Sequence, residues 1–145
     1  MKLVLAIALG AMALTGGSPH VVARTADGDV VAELRLPESG TFALEYRHSY
    51  YGVPARETFR AAGDGGFELV AISSPSEAVL DYYEIEGSRA RQDGRWTLRP
   101  DARAQFSGGM ALAATETGRR TLVAGARRVP LYGGSDVHLR LAVER

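Results

Sequence analysis

The chain of 145 residues contains no cysteine, which excludes disulfide stapling, thiolate ligation and a lipid-modified cysteine anchor. A packed core must therefore hold the fold by itself. Asparagine is also missing, and Lys2 is the only lysine. We read that bias as genome base composition, not function. Basic and acidic residues balance at seventeen each, which argues against a dedicated nucleic-acid binder, normally strongly basic. Only three histidines occur, His20, His48 and His138, and no two stand two or four positions apart. A metal site built from His48, Glu57 and a third carboxylate such as Asp81 falls short of the usual donor set, so no metal and no cofactor are expected. No G-x-S-x-G elbow is present. No repeat, low-complexity tract or linker divides the chain.

The longest apolar run, Leu3 to Leu14, follows Lys2 and precedes Thr15-Gly16-Gly17-Ser18-Pro19. It is shorter than the roughly 20 apolar residues that cross a bilayer. A positive start, a short apolar core and small residues have the form of a secretory signal. The expectation is an export segment at residues 1–18 and a single β domain at 19–145. That domain would sit outside the cytoplasm, secreted, periplasmic or in the cell envelope. Its length suffices to bury about two-thirds of its unfolded surface.

What the chain does have is alternation. Phe42, Leu44, Tyr46, His48 and Tyr50 share one face, with Ala43, Glu45, Arg47 and Ser49 on the other. Ala55, Glu57, Phe59 and Ala61 alternate likewise with Arg56, Thr58 and Arg60. A period of two marks half-buried strands. A hairpin keeps both apolar faces together only if even positions of the first strand oppose odd positions of the second. A four-residue loop, Tyr51-Gly52-Val53-Pro54, satisfies this. It predicts Tyr46 opposite Phe59 and His48 opposite Glu57, both pointing inward.

Around this hairpin, Asp27-Gly28 predicts a turn into a strand with Val30, Ala32, Leu34 and Leu36 on one face. Phe67 to Ser73 is apolar on both faces, as an interior strand is. Ser74-Pro75-Ser76-Glu77 has the capping-box form and predicts a short helix near 75–81. Glu84 to Arg91 reads as a polar strand, and Trp96 and Leu98 as inward residues of the next. Met110 to Thr115 is expected to turn at Glu116-Thr117-Gly118 into a hairpin partner through Leu122 and Val123. Val137, Leu139, Leu141 and Val143 alternate in the last strand. Short strands with turn signals every eight to twelve residues predict an all-β fold: a single antiparallel β-sandwich or small barrel, with one short helix.

A His–Glu pair among aromatic residues costs several kcal/mol unless its members satisfy each other. It has three readings. It pins the hairpin as a buried hydrogen bond; it orients a polar or charged ligand in a pocket; or His48 acts as a general base oriented by Glu57. If the two ionise together, His48 should stay protonated above its unfolded pKa. Asp81, Tyr82, Tyr83 and Glu84 are candidates to line the same cavity. Ser49 projects to the face opposite His48, which argues against a serine hydrolase. Arg119-Arg120 and Arg127-Arg128 make a basic hairpin, read first as a solvated edge that deters aggregation, alternatively as a contact for an anion or acidic partner. In Tyr50-Tyr51 and Tyr82-Tyr83 one ring of each pair should face outward.

Arg47-His48-Ser49, Pro54 and Glu57 form the pattern H-S-x4-P-x2-E. With SPSEAVLDYY at 74–83, DGRW at 93–96 and GRRTL at 118–122, the chain resembles a bacterial family catalogued as a domain of unknown function, DUF1850. The resemblance runs from about Val30 to the end. It implies a small exported protein, often encoded beside the membrane subunits of tripartite (TRAP-type) solute transporters, with His48, Ser49, Pro54 and Glu57 as motif residues. Many members carry an acidic residue two positions after the serine, where this chain has Tyr51.

The expectation is an exported, non-enzymatic binding or accessory domain, associated with a membrane transporter subunit or a small polar solute. Its binding residues would be His48, Glu57, Ser49, Arg47, Pro54, Asp81 and Tyr82. The alternatives are a hydrolase or lyase using His48 as general base, and a purely structural envelope protein.

Overall fold

The alternation resolves into twelve strands and one short helix over the described residues. The computed structural model describes residues 17–145, so the expected export segment lies almost wholly outside them. The elements are β1 (His20–Thr25), β2 (Val30–Arg35), β3 (Thr41–Arg47), β4 (Pro54–Ala61), β5 (Phe67–Ser74), α1 (Glu77–Tyr82), β6 (Gly87–Gln92), β7 (Arg95–Pro100), β8 (Gln105–Phe106), β9 (Met110–Ala114), β10 (Thr121–Ala124), β11 (Arg127–Pro130) and β12 (Val137–Glu144).

All pairings are antiparallel. A four-stranded sheet runs β2-β1-β12-β9, and a larger one runs β11-β10-β3-β4-β5-β7-β6, with β8 also paired to β5. The two sheets face each other as a sandwich, not a closed barrel. Alternation puts Ala32 and Leu34 of β2 and Leu139, Leu141 and Val143 of β12 into the space between them. The large sheet contributes Leu44, Phe59, Ile72, Leu98 and Leu122. Phe42 stacks on Phe59 with centroids 5.3 Å apart, and Phe67 meets both edge-on. Each such side chain, fully buried, contributes about 1.5–3 kcal/mol. β5 has neighbours on both sides and buries Phe67, Leu69 and Ile72, as its two-faced apolar sequence predicts.

The central hairpin has the predicted parity but not the predicted register. Phe42 faces Phe59, Leu44 faces Glu57, Tyr46 faces Ala55 and Arg47 faces Pro54. Relative to the expectation the strands slide by four residues, and the loop is residues 48–53. A slide of four leaves every side chain on its own face, so alternation cannot detect it. The loop decides. The His48 carbonyl accepts from Gly52 N–H at 2.7 Å, and His48 N–H donates to the Val53 carbonyl at 2.8 Å. Gly52 takes φ +65°, a left-handed conformation that costs other residues roughly 1–2 kcal/mol. His48 therefore leaves the sheet and sits in the loop.

Two other expectations change. β9 and β10 are not hairpin partners: β9 pairs with β12 in the small sheet, and β10 pairs with β3 and β11 in the large one. Residues 115–120 cross between the sheets, and Arg47 N–H donates to the Gly118 carbonyl at 2.7 Å on the way. The helix is present, but no capping box forms. Ser74 ends β5, and its hydroxyl donates to the Pro54 carbonyl at 2.8 Å while accepting from Ser76 N–H at 3.2 Å. Ser76 holds the N-cap position without a side-chain hydrogen bond. The polar strand after the helix begins at Gly87 rather than Glu84.

Candidate functional site

Three elements meet where β3 leaves the large sheet. The 48–53 loop folds over the end of the hairpin, the C-terminal end of α1 lies beside it, and the crossing segment 115–120 closes the third side. Between them is a cleft of about 520 Å³ whose lining includes Tyr46, Arg47, His48, Ser49, Glu57, Tyr82, Tyr83, Thr115, Thr117 and Arg120.

Glu57 points inward because it lies between Ala55 and Phe59, both buried on the same face of β4. Its carboxylate accepts a 2.6 Å hydrogen bond from the Tyr83 hydroxyl, which is itself hydrogen-bonded to the Tyr46 hydroxyl. With Tyr83 donating to Glu57, Tyr46 must donate to Tyr83, so the three form a relay. Arg120 lies over the Tyr46 ring at 5.1 Å and donates from Nε to the Ala113 carbonyl at 2.9 Å. Burial pushes the Glu57 pKa above the ordinary carboxylate value, and the nearby Arg120 charge only partly offsets this. Burial likewise pushes Tyr83 up to about 12, again against the pull of Arg120.

His48 is 5% exposed and walled by aromatic rings. Tyr82 meets it edge-on at 4.7 Å, Tyr51 lies at 5.2 Å and Tyr46 at 6.5 Å. Its Nδ1 accepts from Tyr51 N–H at 3.4 Å, leaving Nε2 as the protonated nitrogen of the neutral ring. Burial lowers the imidazole pKa, the reverse of the shift an ion pair would give. His48 and Glu57 share the cleft, but no hydrogen bond or ion pair joins them. The expected cross-strand pair is replaced by the tyrosine relay, because the true register sets Leu44, not His48, opposite Glu57.

Of the other expected site residues, Arg47, Ser49 and Tyr82 line the cleft, and no hydrogen bond links Ser49 to His48. Pro54 opens β4 and lines a separate groove on the outer face of the large sheet. Asp81 is exposed and holds Arg89 at 2.6 Å, away from the cleft. Arg120, Thr115 and Thr117 were not expected at the site. They arrive on the crossing segment, which local pattern reads as a hairpin tip, and no sequence signal marks it otherwise. Tyr83 was among the residues expected to line the cavity; its bond to Glu57 follows from the helix ending beside β4.

The outer groove, about 660 Å³, is lined by Glu45, Arg47, Arg56, Arg95, Arg119 and Arg128 over a floor that includes Ala55 and Thr121. A third hollow of about 400 Å³ lies between the two, and Arg47 lines all three. Among the described residues no group of three or more histidine, aspartate or glutamate side chains could hold a metal ion, and no helix is long and apolar enough to cross a membrane. No family model, curated protein or solved structure matches the chain.

Proposed function

We propose that this chain is an exported, non-enzymatic binding domain whose cleft takes a small polar solute. The observation that carries the reading is the commitment of the cleft's polar groups to a Tyr46–Tyr83–Glu57 relay. A general base needs an orienting partner and a substrate proton within reach. Here the carboxylate that would orient His48 is engaged elsewhere. What remains is an aromatic-walled hollow offering hydroxyl, imidazole and guanidinium groups, the mixture by which pockets fix a polar ligand. The resemblance drawn from the sequence adds an accessory role beside the membrane subunit of a TRAP-type transporter.

The test is a thermal-shift screen of polar solutes against the wild type and a His48→Gln variant, with co-purification against the transporter's membrane subunit. A solute that raises the wild-type Tm, and raises that of the variant less, supports the cleft reading. No shift with any solute, and no co-purification, rejects it.

A second reading rests on a different observation. Burial in one cleft pushes Glu57 toward its neutral acid and His48 toward its neutral base, and titratable groups perturbed together in a cleft are candidates for acid–base chemistry. Turnover in a hydrolase and lyase substrate panel that disappears in His48→Gln would favour that reading.

A further inference from the structure

The outer groove draws its arginines from across the large sheet, not from one edge. Arg47 ends β3, Arg56 lies in β4, Arg95 opens β7, Arg119 precedes β10 and Arg128 lies in β11. Charge that only blocks aggregation belongs on edge strands. β11 is an edge strand, so that account covers Arg128; β3 and β4 lie in the middle of the sheet.

Glu45 is the one acidic side chain lining the groove, and it is already taken. Arg56, directly opposite in register, reaches it at 2.6 Å, and Arg128 bonds its other oxygen. That triad fixes two guanidinium forks. The other three arginines have no carboxylate partner among the described residues. Arg95 reaches only the Ser73 hydroxyl, at 3.5 Å. Arg119 lies 5.4 Å over the Tyr132 ring. Arg47 lies against Gly52, within 3.6 Å of where a Cβ would stand.

With Glu45 shared by two of the five, the hollow keeps a clear excess of positive charge, and three guanidinium groups are left to attract an anion. Planar forks match oxyanions two oxygens at a time. The groove's volume falls in the range of small-ligand sites, roughly 300–1,000 Å³. We propose that this groove is a second binding site, distinct from the cleft, for a compact oxyanion carrying at least two negative charges, as a phosphate ester or a polycarboxylate does.

Pyrophosphate and citrate are the probes, titrated calorimetrically into the full domain at low salt, with sodium chloride matching the ionic strength of each. Saturable binding of either probe beyond the chloride control is expected, and the stronger of the two identifies the phosphate or the carboxylate class. The Arg95→Gln/Arg119→Gln double variant should bind at least about tenfold more weakly, the scale of losing charged hydrogen bonds. Arg127→Gln, one residue from Arg128 on the opposite face of β11, should bind as the wild type does. His48→Gln, in the cleft, should leave anion binding unchanged, which separates this proposal from the cleft reading. Arg95→Lys covers the case in which the double variant misfolds: it keeps the charge, loses the fork and should weaken binding by less. Neither probe binding beyond chloride, an equal loss with Arg127→Gln, or binding to anionic vesicles alone would overturn the proposal.

Discussion

The Tyr83 hydroxyl donates to the Glu57 carboxylate across 2.6 Å, tying the residue after α1 to the inner face of β4. Removing the donor leaves a buried carboxylate without its partner. Tyr83→Phe should therefore destabilise the fold by about 1–3 kcal/mol. Replacing Glu57 in that background should recover part of the loss, since the uncompensated acceptor is then gone. Chemical denaturation of the two single variants and the double variant measures this coupling. Alkaline titration gives a second view. The Tyr83 hydroxyl, held up to about 12, should give a late ionisation step, and Tyr83→Phe should abolish it.

Acid should weaken the fold through His48. Its folded pKa lies below the unfolded value of 6.5, so between the two values the unfolded chain holds the extra proton. Stability then falls as pH drops through 6.5 and levels off below the folded value. Glu57 works in the opposite sense: its raised pKa adds stability at low pH that is lost as pH rises through its folded value. The difference between wild type and His48→Gln, followed by denaturation from about pH 8 to about 5, isolates the histidine. Toward acid the wild type should lose stability relative to the variant. A wild type that gains stability from His48 as pH falls would restore the ion pair.

The strand register of the central hairpin can be read from charge pairs on its outer face. Glu45 stands opposite Arg56 and forms a 2.6 Å ion pair with it. A double-mutant cycle on Glu45 and Arg56 should show about 0.2–1 kcal/mol of coupling, the range for cross-strand and exposed pairs. A cycle on Glu45 and Arg60, which the register read from sequence would have paired, should show none.

That contrast also marks how far the sequence could be read. Period-two patterning assigned the faces of β2, β3, β4 and β12, because burial on one face is enforced at every second residue. It could not fix the register of β3 on β4, because a four-residue slide buries the same side chains. The loop that decides between registers depends on a carbonyl of His48 and a left-handed Gly52, and neither leaves a period. The site followed the same division. His48 and Glu57 stand out because alternation turns both inward, and the contact expected between them fails because it depends on the register. Arg120 and Thr117 do not stand out, because they reach the cleft only where the chain passes from one sheet to the other.

The helix start gives a further test. Ser74 is fully buried and its hydroxyl serves both the Pro54 carbonyl and Ser76 N–H, whereas the Ser76 side chain makes no cap bond. Ser74→Ala should cost about 1–3 kcal/mol, the penalty of orphaning a buried group. Ser76→Ala should cost less than the roughly 1 kcal/mol of a working N-cap. Thermal unfolding of both variants distinguishes the two; the reverse order would make Ser76 a working N-cap.

The innermost strands of the smaller sheet are β1 and β12, joined from His20–Glu144 to Thr25–Leu139. A chain delivered vectorially, N-terminus first, can build the long sheet early from neighbours such as β3, β4 and β5. It cannot seal the sandwich until its last strand has emerged. Closing so large a loop is entropically slow. The β1–β12 seam is the longest-range pairing in the fold, so the apolar underside of the long sheet is covered in full only once β12 is in place.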